Sequence, residues 1–142
     1  MLAVDSSVLV AALMVSHEKH LAALSWLESA ASGTLTLIVC QQSIAEVYAT
    51  LTTMPGASRV PPPVAWQLIV GLTEMVTVVE LKPDDYVDAV SRLATLGVLG
   101  GAINDCLILI AAENSGAEKF VTGNRRHFDR LPQTRPVEII SI

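Results

Sequence analysis

Cysteine, histidine and charge are all scarce in this chain of 142 residues, and each scarcity removes a class of protein. The two cysteines, Cys40 and Cys106, have no CxxC or other metal-ligand spacing, which excludes a disulfide framework; they read as small buried hydrophobes. Charged residues make up 16% of the chain, against about 25% in an average domain. With 51% hydrophobic residues, that balance excludes disorder as the main state. The longest uncharged stretch, Ser29 to Ala45, is interrupted by Ser, Thr, Gly and Gln, and so falls short of a membrane span. No G-x-G-x-x-G or G-x-x-x-x-G-K-[ST] string is present, which removes nucleotide-cofactor readings. The length suits one compact domain over residues 1–142. Residues 6–15 imitate the apolar core of a signal peptide, but Asp5 stands where a basic region belongs and no small-residue cleavage site follows. A cytoplasmic location is therefore expected.

Nine Lys and Arg against fourteen Asp and Glu give a net charge of −5, which argues against non-specific polyanion binding over the whole surface. The distribution is uneven. Lys119, Arg125, Arg126, Arg130 and Arg135 are five of the nine bases, and Asp129 is the only acid among them. A local basic patch is compatible with an acidic whole.

Strands and helices alternate along the chain. Leu2 to Val4 reads as a strand running into a helix that starts near Val8. Leu21, Leu24 and Leu27 predict a second helix over 18–31, ended by Gly33. A buried strand follows over 35–40, then a helix through Ile44, Val47 and Leu51 that Pro55-Gly56 breaks. Pro61 to Pro63 open another helix. After a strand over 75–81, Tyr86, Val87, Val90, Leu93 and Leu96 line one face of a helix ended by Gly97. Gly100-Gly101 precede an apolar helix over 104–115, and strands over 120–122 and 137–142 flank a basic turn. This alternation predicts an α/β fold, a three-layer α/β/α sandwich with a mainly parallel sheet.

In such sheets ligands bind beyond the carboxyl ends of the strands. Three isolated acids fall at those junctions: Asp5 after the first strand, Glu46 in the first turn of the helix after the second, and Asp105 at the start of the late helix. Each has a plain alternative as a helix cap, and Ser43-Ile-Ala-Glu46 fits the capping box S-x-x-E. Taken together, three like charges at one edge repel each other unless a cation sits among them. Oxygen-only ligands without a His or Cys cluster point to Mg²⁺ or Mn²⁺.

Four strings carry a family resemblance: Leu-Ala-Val-Asp5-Ser-Ser-Val-Leu-Val, Ser43-Ile-Ala-Glu46-Val, Gly100-Gly101-Ala-Ile-Asn104-Asp105-Cys-Leu-Ile, and Val121-Thr122-Gly-Asn124-Arg-Arg-His127-Phe128. In order and spacing over nearly the whole chain they resemble PIN-domain ribonucleases of the VapC toxin type. The resemblance implies a PIN-like fold and Mg²⁺- or Mn²⁺-dependent endoribonuclease activity that leaves a 5′-phosphate. Asp5, Glu46 and Asp105 would be the metal-site acids, with Asn124 as a fourth catalytic position. It also implies a cognate antitoxin protein as partner and a homodimer. Where many relatives have Asn, this chain has Ser7; Cys106 replaces an Ala, and His127 stands where some relatives have an acid.

On this reading Arg125, Arg126 and His127 bind RNA, while Ser6 and Thr122 are candidate hydroxyls for orienting the acids, or else backbone caps. His17 and His20 share a helix face without a third ligand and read as surface groups. Trp26 and Trp66 suit core or dimer packing better than base stacking. Glu80, Asp84, Asp85 and Asp88 read as a solvated face and a helix N-terminus. A catalytically weak PIN-fold module that binds RNA or protein is the alternative of another class. A phosphatase of haloacid-dehalogenase type is disfavoured because Ser7 stands where its second Asp belongs.

Overall fold

The computed structural model describes all 142 residues. Five strands form one sheet in the order β3-β2-β1-β4-β5: β1 (Leu2–Val4), β2 (Leu37–Cys40), β3 (Thr77–Val79), β4 (Lys119–Thr122) and β5 (Glu138–Ser141). Every neighbouring pair is parallel. The chain builds outward from β1 to β3 and then returns across β1 to lay down β4 and β5. That reversal places a topological switch point between β1 and β4, where a crevice opens beyond the strand ends.

The alternation of side chains along the strands explains why β1, β2 and the middle of β4 are apolar on both faces. Leu2, Val4, Leu37, Val39 and Val121 face one core, while Ala3, Ile38, Cys40 and Phe120 face the other. Helices cover both faces, so neither row can be polar. The first layer is α1 (Ser6–Leu13), α2 (His20–Ala31), α3 (Gln41–Thr53) and α4 (Pro62–Met75), with a 3₁₀ turn at Gly56–Ser58 between α3 and α4. The second layer is α5 (Pro83–Leu96), α6 (Ala102–Ser115) and α7 (Arg125–Asp129). Both cysteines are free and buried in the second core, as expected.

α6 is buried all round from Cys106 to Glu113, because it lies between the sheet and α5. One ion pair is sealed with it. Arg92 of α5 donates from both terminal nitrogens to the Glu113 carboxylate at 3.1 and 2.9 Å, and also pairs with Asp88 at 2.7 Å. Glu113 in turn accepts from the Thr134 hydroxyl at 2.7 Å and its N–H at 3.1 Å. The segment that leads from α7 into β5 is thereby tied to the middle of the second layer.

Four expectations about faces and boundaries are corrected. α5 buries Ala89, Arg92 and Leu93, whereas Tyr86, Val87, Val90 and Leu96 are exposed. Its contact stripe is set by the small Ala89 and by the Arg92 ion pair, which periodicity of large apolar residues does not reveal. In α2 the buried residues are Ala23 and Leu27, with Leu21 exposed, for the same reason. The basic turn is the short helix α7, and α3 begins at Gln41, so Glu46 lies in its second turn rather than its first.

Candidate active site

Asp5 ends β1 and caps α1, so the capping and site readings describe one residue. Its Oδ1 accepts from the Ser7 hydroxyl at 2.6 Å and the Val8 N–H at 3.2 Å, and its Oδ2 accepts from the Thr122 hydroxyl at 2.7 Å. The side chain is buried, and burial pushes its carboxyl above the usual range. The three hydrogen bonds oppose that rise, and the charge of Asp105 adds to it.

Glu46 makes no cap. Its Oε2 accepts from the Ser6 hydroxyl at 2.7 Å across to α1, while the Ser43 hydroxyl is buried with no hydrogen-bond partner. The capping box is absent because α3 starts two residues ahead of Ser43, leaving that hydroxyl inside the helix. Burial raises the Glu46 carboxyl; the Ser6 bond opposes this, and the charges of Asp105 and Asp5 add to it.

Asp105 lies in the first turn of α6, whose N-cap is Gly101. It is half-buried, and burial raises its carboxyl against the lowering influence of His127 and Arg130. The Nδ1 of His127 stands 3.3 Å from its Oδ2. Next to it, Asn104 accepts at 2.8 Å from the amide of Gln42, one helical turn before Glu46, and so links the two acid-bearing helices.

The β4–α7 turn closes the site. Gly123 donates its N–H at 2.9 Å to the Ser7 hydroxyl, and a Cβ on Gly123 would meet that oxygen at 2.9 Å. Only glycine allows this approach. Asn124 donates its N–H at 2.9 Å to the Thr122 hydroxyl, which holds Asp5 in turn. Ser6 and Thr122 therefore orient acids, as their positions suggested, and Ser7 joins them. Ser7 was legible only as a departure from a motif, because its link to Gly123 spans almost the full chain.

A cleft of about 430 Å³ lies over Gly123, Asn124, Arg126 and His127. Arg125 also lines it, but its guanidinium is held by Asp129 at 3.2 Å, one turn on. Of the other bases in this segment, Lys119 lies 3.9 Å from Glu138 and Arg135 donates to the Glu113 carbonyl. Arg130, not singled out as a site residue from sequence, acts on Asp105 together with His127. Their spacing of three becomes informative only once the segment is known to be helical.

The remaining candidates sort by contact. His17 lies outside α2, and His20 donates through Nδ1 to the Ala11 carbonyl at 3.0 Å, so the two make no metal pair. Trp26 packs against the first core, whereas Trp66 is 66% exposed. Asp84 and Asp85 occupy the first turn of α5, and Asp88 pairs with Arg92.

No three His, Cys, Asp or Glu side chains stand grouped so that they could hold a metal ion as they are placed. In type the three acids suit a hard divalent cation: their side-chain donor atoms are all oxygen, and all three are raised by burial, two of them by neighbouring acids as well. A cation in their midst relieves that repulsion.

Comparison with known proteins bears on the family and the fold. Ribonuclease VapC27 of Mycobacterium tuberculosis is 29% identical over 117 residues, covering 82% of this chain and 80% of the relative. The crystal structure of VapC20 from the same species, a sarcin-ricin loop cleaving toxin, superposes with a TM-score of 0.71 at 16% identity, over 96% of this chain and all of that one. VapBC2 from Rickettsia felis, crystallised on a DNA fragment from its promoter, gives 0.70 at 16% identity, over 99% and 98%. The PIN-domain family model matches residues 2–133, and the chain, a parallel five-stranded sheet between two helical layers, belongs to the PIN-domain family.

Proposed function

We propose that this protein is an endoribonuclease that hydrolyses RNA phosphodiester bonds with Mg²⁺ or Mn²⁺, and that it is the toxin of a VapBC-type pair. The observation that supports this reading is that Asp105 acts on both Asp5 and Glu46 through its charge, while a hydroxyl is bonded to each of those two. Divalent-metal dependence is general among PIN-domain ribonucleases. Asp5, Asp105 and Glu46 are the residues that would hold the ion, which supplies charge neutralisation for the scissile phosphate and a lowered pKa for water.

The chain's own groups account for the rest. Glu46, raised by burial and steadied by Ser6, is suited to take a proton from the attacking water. As that water's oxygen bonds to phosphorus, the bond to the 3′ oxygen breaks, leaving a 5′-phosphate on the downstream fragment. Asn124 lies at the rim of the crevice, where its amide oxygen is available to water or to the substrate. Arg126 and His127 line the cleft beside it and bind the RNA backbone; Arg125 has the same role with part of its charge committed to Asp129.

A cognate antitoxin and a second copy of the chain are the proposed protein partners. Large apolar side chains left in solvent, among them Val87, Trp66 and Leu99, support surfaces that a partner covers. No helix is long and apolar enough to cross a membrane, and the cytoplasm is the proposed location. The test is cleavage of single-stranded RNA by the purified protein in Mg²⁺ or Mn²⁺, with the fragment ends sequenced. Cleavage that stops in EDTA and leaves 5′-phosphates is expected. RNA binding without cleavage in either ion would overturn the enzymatic reading.

A further inference from the structure

The turn between α1 and α2 was not assigned a role by its sequence, yet it borders the site. Two further depressions, of about 330 and 190 Å³, lie beyond Asn124 from the Arg126 cleft. Ser7, His17 and Asn124 line both, and Lys19 lines the smaller. Ser6, the hydroxyl that holds Glu46, lines the larger. Asn124 is thus the common wall of three hollows: Arg126 and His127 lie to one side, and His17 and Lys19 to the other.

The chemistry of this second side suits a phosphate. The Nδ1 of His17 accepts from the Lys19 N–H at 3.1 Å, which fixes the ring so that its proton is carried on Nε2, the edge left for a ligand. Lys19 forms no ion pair, and the same is true of Arg126. In a protein of net charge −5, unpaired bases in two hollows that share Asn124, with Ser6 and Ser7, the hydroxyls bonded to Glu46 and Asp5, in the lining of the further depressions, offer a polyanion two points of attachment beside the acids. Glu18, in the same lining, works against it.

We infer that the α1–α2 turn is a second RNA-backbone subsite, in which His17 and Lys19 bind a phosphate on the opposite side of Asn124 from Arg126. This assignment rests on the ribonuclease reading above and specifies the direction in which substrate crosses the site. The probe is binding of a fluorescent single-stranded RNA of roughly 12 nucleotides to the full chain in EDTA, followed by anisotropy over a range of salt. Lys19→Gln is expected to weaken binding several-fold and to flatten the salt slope by roughly 0.7, the value for one phosphate contact on a single strand. His17→Asn keeps an acceptor for the Lys19 N–H but removes the Nε2 donor, so it should lower affinity with little change in slope. His17→Gln, which places a donor near Nε2, should recover part of the loss, and Glu18→Gln should tighten binding.

Lys82→Gln is the control for net charge, because Lys82 lines a separate depression with Asp85 and Arg135. It should leave affinity and slope unchanged. If Lys19→Gln and His17→Asn bind like the wild type, or if Lys82→Gln matches Lys19→Gln, the subsite is refuted while metal-dependent cleavage by the wild type still stands. If the wild type neither binds RNA in EDTA nor cuts it with Mg²⁺ or Mn²⁺, the ribonuclease reading and the subsite fall together.

Discussion

Each acid of the site has a different structural obligation, and substitutions separate obligation from chemistry. Asparagine caps a helix about as well as aspartate, so Asp5→Asn should keep the start of α1 while removing the charge. Asp105→Asn should lower RNA cleavage by orders of magnitude, and in metal-free protein it should leave the melting temperature unchanged or raise it, since Asp105 adds to the repulsion felt by Asp5 and Glu46. The pH dependence has a definite sign. Asp5, Glu46 and Asp105 bind protons more tightly folded than unfolded, so their stabilising contribution is complete below about pH 4 and is lost as pH rises through their raised values. The metal-free wild type should therefore fall progressively behind Asp105→Asn in melting temperature from acid to neutral pH. A constant gap would remove this account. Ser43→Ala should be neutral or stabilising, because its hydroxyl has no partner, whereas Glu46→Gln should abolish cleavage and Ser6→Ala should reduce it. Loss of activity in Ser43→Ala would restore the capping role that the structure contradicts.

At the scale of elements, two short segments set the geometry. The β4–α7 turn fits against α1 only because residue 123 has no side chain, so Gly123→Ala should cost roughly 1–3 kcal/mol, by overpacking, and should impair cleavage through Ser7 and Asp5. Thermal melts and cleavage rates of this one variant test both effects. On α7 the two adjacent arginines are unequal. Arg126→Ala should flatten the salt dependence of RNA binding by about one ion equivalent, and Arg125→Ala by less, since Asp129 already neutralises it. Equal slopes would show that the Arg125 pair opens when RNA binds. Behind this helix, the Arg92–Glu113 pair anchors the segment into β5. Glu113→Ala leaves buried Arg92 with Asp88 as its one remaining carboxylate, beside the Pro132 carbonyl and Thr134 hydroxyl, and should destabilise the fold by about 3–5 kcal/mol, measurable by denaturant unfolding.

For the whole molecule, the arrangement concentrates negative charge where a cation is needed and leaves unpaired positive charge on its rim. Mg²⁺ or Mn²⁺ should raise the melting temperature at neutral pH by ligand linkage. The increase should vanish in Asp5→Asn and Asp105→Asn. An equal rise in both variants would place the ion elsewhere. The same layout explains why the net charge alone is a poor guide to the substrate: most of the fourteen acids lie away from the site, while Arg126 and Lys19 line hollows that meet at Asn124 and Arg130 acts on Asp105.

By itself the sequence determined the alternation of strands and helices and the parallel sheet, and it singled out three isolated acids, because these follow from local periodicity and from isolated charge within apolar runs. It also offered Ser6 and Thr122 as hydroxyls for those acids, with backbone capping as the alternative, and their contacts with Glu46 and Asp5 decided for the former. Only the tertiary structure decided which face of α5 is buried, since Ala89 and the Arg92–Glu113 pair outweigh a stripe of larger apolar residues. It likewise decided that Glu46 answers to Ser6 rather than to Ser43, that Gly123 must be glycine, and that Arg125 is already paired. Those contacts join residues distant along the chain or depend on the exact first residue of a helix, and local propensity carries no information about either.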